Sequence, residues 1–229
     1  MSFLDIISVF EKRDLLTAWV CLAVAFTLGT SRRQALITDA GGIPVDMLAM
    51  IFIVAVITVG PSFVLHELAH KYAAVRYGYW AGFRKKTQML LIAVVITVLT
   101  GIVFAAPGAT LINTAGREMT KKESGIISLA GPLTNLILAV PFFICMIAGG
   151  ILGGAEASVF TVSGFLFFLG MIGFQVNAML ALFNMLPVGS LDGRKILSYD
   201  AAVFTAMIAM SLLMLYLSLQ SRMSVGMLL

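Results

Sequence analysis

The chain has 229 residues, 60% of them hydrophobic and only 11% charged, with a mean hydropathy of +1.04. A soluble domain carries about 25% charged residues, so this balance excludes a soluble globular enzyme and predicts an all-α polytopic membrane protein in contact with the lipid bilayer. The net charge of +4 comes from basic residues scattered through short connecting segments without interleaved aromatics, which excludes a nucleic-acid partner and fits membrane topology.

In chain order, the first fourteen residues mix Phe3, Leu4, Ile6 and Ile7 with Asp5, Glu11 and Asp14 and lack a small-residue cleavage site. An interfacial helix or strand is expected there rather than a cleavable signal. Apolar runs follow at Leu15–Thr30, Met47–Val75, Met89–Ala106, Gly125–Ala148, Phe160–Leu186 and Ala201–Leu219, giving about five to six transmembrane helices. A spanning helix needs ~20 residues, so the first and third runs are short candidates. No connection is long enough for a separate soluble domain, and residues 1–229 read as one membrane-embedded domain. Cys21 and Cys145 lie in apolar runs without a CxxC pairing and read as lipid-facing or packing residues.

The chain has two histidines, both in His66-Glu67-Leu68-Ala69-His70 at the end of the second run. Residues i and i+4 share a helical face, so His66 and His70 can present imidazole nitrogens to the same zinc ion. Glu67 lies beside that face, placed to take a proton from the attacking water rather than to bind metal. Ionisable side chains at bilayer depth are costly, and three together argue for a site.

The third run is dense in β-branched residues (Ile92, Val94, Val95, Ile96, Thr97, Val98) and leads into Gly101, Pro107, Gly108 and a second extended-looking piece, Ala109–Ile112. If this run crosses the membrane, the basic residues divide eight against seven between the two sides. If it dips in and returns, they divide twelve against three, the asymmetry expected when the N-terminus is cytoplasmic. Residues 89–112 are therefore expected to be re-entrant or interfacial, as a β-hairpin or protein-covered loop, because backbone at membrane depth must pair its polar groups internally. Pairing with an extended substrate strand is a further expectation, with Thr110 and Ile112 on the edge.

A catalytic zinc keeps three protein ligands. Of the eleven acidic residues most lie in loops or near ends, whereas Asp192 follows the Phe160–Leu186 run directly. The re-entrant topology runs this segment and the histidine helix in the same direction, so both end on the cytoplasmic side. The alternative for Asp192 is a helix N-cap or turn ahead of Arg194 and Lys195. Gly131-Pro132 opens or kinks a helix and lets it approach the metal helix closely; packing punctuation is favoured over any chemical part.

These residues resemble the site-2 proteases, intramembrane zinc metalloproteases. The resemblance rests on the His66–His70 motif followed by Ala73, Ala74 and Gly78, on Ala130-Gly131-Pro132-Leu133-Thr134-Asn135, and on Asn184-x-x-Pro187-x-x-x-Leu191-Asp192-Gly193. It covers a catalytic core of about residues 47–197. Gly189 stands where the family pattern commonly has a second proline. The resemblance implies hydrolysis of peptide bonds within or next to a transmembrane segment of a membrane-protein substrate. It implies zinc on His66, His70 and Asp192, Glu67 as general base, and Asn184 as an oxyanion or substrate donor. Asn135 is a second candidate for substrate contact, against a helix–helix hydrogen bond in the bilayer. Other HExxH membrane metalloproteases use a glutamate third ligand, and no downstream glutamate lies in a span. A catalytically inactive membrane-protein-binding homologue is the remaining alternative, and oligomeric state is left open.

Overall fold

The computed structural model describes residues 7–38, 43–100 and 108–225. Among the described residues, five helices are long and apolar enough to cross a membrane: α1 (Val9–Thr38), α2 (Val45–Arg76), α4 (Lys121–Ile151), α5 (Val162–Asn184) and α7 (Ala201–Val225). Between them lie β1 (Trp80–Lys85), α3 (Thr87–Thr100), β2 (Gly108–Asn113) and the short α6 (Asp192–Tyr199). The chain is thus a predominantly helical, multi-pass membrane protein. It divides into two compact units, one ending at Gly131 and the other beginning at Pro132.

In the first unit α1 packs on α2 and α3. The α1–α2 seam closes tightly at Gly60, where a Cβ would lie 1.8 Å from the Trp19 ring. The Trp19 indole N–H donates to the Val56 carbonyl at 3.0 Å. One residue further on, Pro61 has no N–H to give the carbonyl a turn earlier, a gap that membrane helices tolerate when neighbours supply packing and donors.

The first helix begins earlier than hydropathy suggests. The charged opening is part of α1 from Val9 onward, where a separate interfacial element was expected. The Ser8 hydroxyl accepts from the Glu11 N–H at 3.2 Å and caps the helix. Glu11 is buried because its carboxylate has partners: one oxygen pairs with the ammonium of Lys71 on α2, and the other accepts the Phe83 N–H at 3.0 Å. One turn later, Asp14 accepts the Lys85 N–H at 3.4 Å. Two carboxylates of α1 thus take alternate N–H groups along one edge of β1, which leaves the other edge for a partner strand.

That partner is β2. The strands pair antiparallel with Phe83 opposite Thr110, Ala81 opposite Ile112 and Lys85 opposite Gly108. A hairpin-like sheet was expected near residues 89–112, and Ala109–Ile112 is strand as anticipated. The β-branched run Ile92–Val98 is helical, within α3, and the second strand comes from Trp80–Lys85 upstream. The reason is physical: in an apolar setting an isolated extended run would leave its backbone unpaired, whereas a helix pairs it internally. At 14 residues α3 is ~21 Å long, short of the ~30 Å hydrocarbon core. Gly101 and Pro107 fall outside the described residues.

The second unit is held by close helix contacts at small residues. A Cβ at Gly149 would lie 2.4 Å from the Phe167 N, and one at Gly170 would lie 2.2 Å from the Met146 N. Deep in this seam Asn135 of α4 donates to Asn177 of α5 at 3.0 Å, and Asn177 donates to the Gly173 carbonyl at 2.9 Å. Both asparagines are fully buried. Thr161 caps α5 by accepting from the Gly164 N–H at 3.1 Å, and α7 packs on α5 and α6.

Candidate metal centre

His66, Glu67, His70 and Lys71 all lie on the buried face of α2, in register with Thr58, Ser62, Phe63 and Ala74. The helix continues through the motif to Arg76, so the i, i+4 geometry holds. The Nε2 atoms of His66 and His70 lie 3.1 Å apart. Two donors on a tetrahedral zinc with Zn–N near ~2.0–2.1 Å would be about 3.3–3.4 Å apart, so little movement separates the observed pair from a chelating one.

The protonation of His70 follows from its neighbour. Nδ1 lies 2.8 Å from the Ile127 carbonyl oxygen on α4. A carbonyl can only accept, so Nδ1 carries the proton and the neutral ring keeps its lone pair on Nε2. This is the outer-shell bond that orients a ligating histidine.

One turn beyond Ile127, Gly131 supplies the space for an ion. A Cβ there would stand 2.4 Å from His70 Nε2 and 2.6 Å from His66 Nε2. Any side chain would fill the place that the two Nε2 atoms border. Gly131, read from sequence as packing punctuation, therefore borders the donor atoms directly. The G-P pair marked a close approach to the histidine helix, but not that the glycine borders the two Nε2 atoms. The donor set and the cradle fit zinc.

Glu67 is held by β2. Its Oε2 accepts the Thr110 N–H at 3.0 Å and lies 2.9 Å from Thr110 Oγ1. The same hydroxyl lies 3.1 Å from the Glu67 carbonyl oxygen, so its one proton serves one of the two at a time. Thr110 thus points its backbone N–H away from β1 and toward α2. Ile112, on the same strand face, packs beside Ala74, Tyr79, Ala81 and Ile127.

In the second unit, Asn184 is the last residue of α5, buried, with its amide donating to the Leu180 carbonyl at 2.9 Å. Asp192 opens α6 and is also buried. It is a first-turn residue of α6, after the N-cap Leu191. Two glycines shape this segment. Gly193 lets α6 close against the end of α5, since a Cβ there would lie 2.0 Å from the Met185 carbonyl oxygen. Gly189 has φ +57°, a conformation closed to the proline common at this place, whose φ is fixed near −65°.

The motifs and this geometry have counterparts in other proteins. No family model and no solved structure matches the chain. A protein of Methanocaldococcus jannaschii, MJ0611, named provisionally as a zinc metalloprotease, is 37% identical over 68% of this chain and 74% of its own length. YwhC of Bacillus subtilis, named in the same way, is 31% identical over 62% of this chain and 66% of its own. Rip2 of Mycolicibacterium smegmatis, also so named, is 34% identical over 58% of this chain and 51% of its own. At that identity to MJ0611, across 74% of its length, the chain belongs to the site-2 protease family of zinc metalloproteases.

Proposed function

We propose that the protein is an intramembrane zinc endopeptidase that cleaves transmembrane segments of other membrane proteins. The observation that carries this reading is the His66–His70 pair, with Nε2 atoms 3.1 Å apart and Glu67 beside it, inside a helix long enough to span. His66 and His70 would hold the ion, with Asp192 as third ligand. Zinc, when bound, supplies Lewis acidity toward the scissile carbonyl and acidifies water. Glu67 accepts the proton of the attacking water and returns it to the leaving amine. Asn184 is offered as a donor to substrate carbonyls, whereas the Asn135 amide is engaged with Asn177; the outer edge of β2 near Ile112 is offered as a place for an unwound substrate strand.

The site is proposed to open toward the cytoplasm, with the N-terminus on the same side. Lys71 belongs to a buried ion pair and drops out of the charge count, leaving eleven basic residues on the inner side against three. The test of the function is Glu67→Gln. It should retain zinc and fold while cleavage of a co-expressed single-span membrane protein is lost; retained cleavage would refute the assignment.

A further inference from the structure

The general base sits on a helix, yet the groups that fix its carboxylate come from a strand 43 residues later. A glutamate side chain has three rotatable bonds, and a base that wanders loses the alignment on which proton transfer depends. Thr110 addresses one oxygen, Oε2, with its backbone N–H and its hydroxyl, which leaves the proton traffic to Oε1. Thr110 is itself not free to drift. It lies opposite Phe83 in the sheet, and the Phe83 N–H is taken by Glu11 at 3.0 Å. The sheet is therefore suspended between two carboxylates, Glu11 of α1 on its β1 edge and Glu67 of α2 on its β2 edge.

We propose that Thr110 is the positioning residue of the general base, holding Glu67 through β2 so that one carboxylate oxygen is fixed and the other is presented to the reaction. This rests on the protease reading above and adds to it a second consequence. The Thr110 N–H is already engaged, so an extended substrate pairing with β2 either leaves that group to Glu67 or takes it and releases the base.

The test uses the full chain in detergent micelles, labelled with 15N-threonine and 15N-leucine, and fluorescein-labelled casein, which offers extended segments without requiring a helix to unwind. In the wild-type protein the Thr110 amide should exchange slowly with solvent. In Glu67→Ala it should exchange at least about tenfold faster, because it faces away from β1, while the Leu111 amide, which faces β1, stays protected. Equal Thr110 exchange in both proteins would overturn the proposal. In the zinc-loaded enzyme, Thr110→Val keeps the β-branch and the N–H but removes the hydroxyl. It should lower kcat about 10- to 100-fold, as loss of an outer-shell partner does, with KM within twofold, and Thr110→Ser should restore it. An unchanged kcat in Thr110→Val, or no rescue by serine, would also overturn the proposal. A wild-type enzyme that loads zinc and cleaves neither casein nor a co-expressed single-span membrane protein refutes the protease reading itself, and the exchange rates still decide whether Thr110 holds Glu67.

Discussion

Glu11 of α1 accepts the backbone N–H of Phe83 at 3.0 Å while its other oxygen pairs with Lys71, so one buried carboxylate ties together α1, α2 and β1. Removing one partner of a buried ion pair strands the other charge and costs about 3–5 kcal/mol. Glu11→Ala should therefore lower the unfolding free energy by several kcal/mol in a denaturant titration. Glu11→Gln, which keeps an acceptor for Phe83, should lose less. Equal stability of Glu11→Ala and wild type would show that the pair does not hold the sheet.

Gly131 makes a sharper prediction because its effect falls on the ion. A Cβ at this position would lie 2.4 Å from His70 Nε2, so Gly131→Ala should bind little zinc by metal analysis while remaining folded. Gly150→Ala, in the same helix with nothing closer than 3.6 Å to the added carbon, should keep its zinc and gain up to about 1 kcal/mol of helix propensity.

Asn135 tests structure against substrate contact. Its amide donates to Asn177 deep between α4 and α5, and hydrogen bonds of this kind contribute about 0.6–1.7 kcal/mol in membrane proteins. Asn135→Leu should lower stability by about that amount and leave KM unchanged. A raised KM at unchanged stability would assign Asn135 to the substrate.

Gly189→Pro would bring the chain closer to the family's common pattern, and it should be harmful. The backbone here has φ +57°, which proline cannot adopt. Reduced thermal stability and reduced zinc content are expected. Gly189→Asn, a residue that visits the left-handed region, should be tolerated better.

Much of this was legible in the sequence because it is local or periodic. The histidine pair follows from the helical repeat, and the five long helices follow from hydropathy. The short third run was singled out by its length, and Ala109–Ile112 by its character. Two kinds of feature were hidden. Ile92–Val98 looked extended because β-branched residues favour strands in soluble proteins, a preference that backbone pairing overrides in apolar surroundings. Contacts between distant positions left no local trace: Glu11 with Lys71 across 60 residues, Glu67 with Thr110 across 43, and His70 with Ile127 across 57. Lys71 in particular counts toward the cytoplasmic charge by sequence, and only its partner explains its burial.

The central claim is that His66, His70 and Asp192 together hold a catalytic zinc. It is tested most directly by metal analysis of the purified wild-type protein beside Asp192→Ala, the ligand that the two-histidine motif does not fix. About one zinc per chain is expected in the wild type, falling by an order of magnitude or more in Asp192→Ala at the same free zinc, since a two-donor site binds far more weakly than a three-donor one. Equal zinc in both proteins would contradict the account.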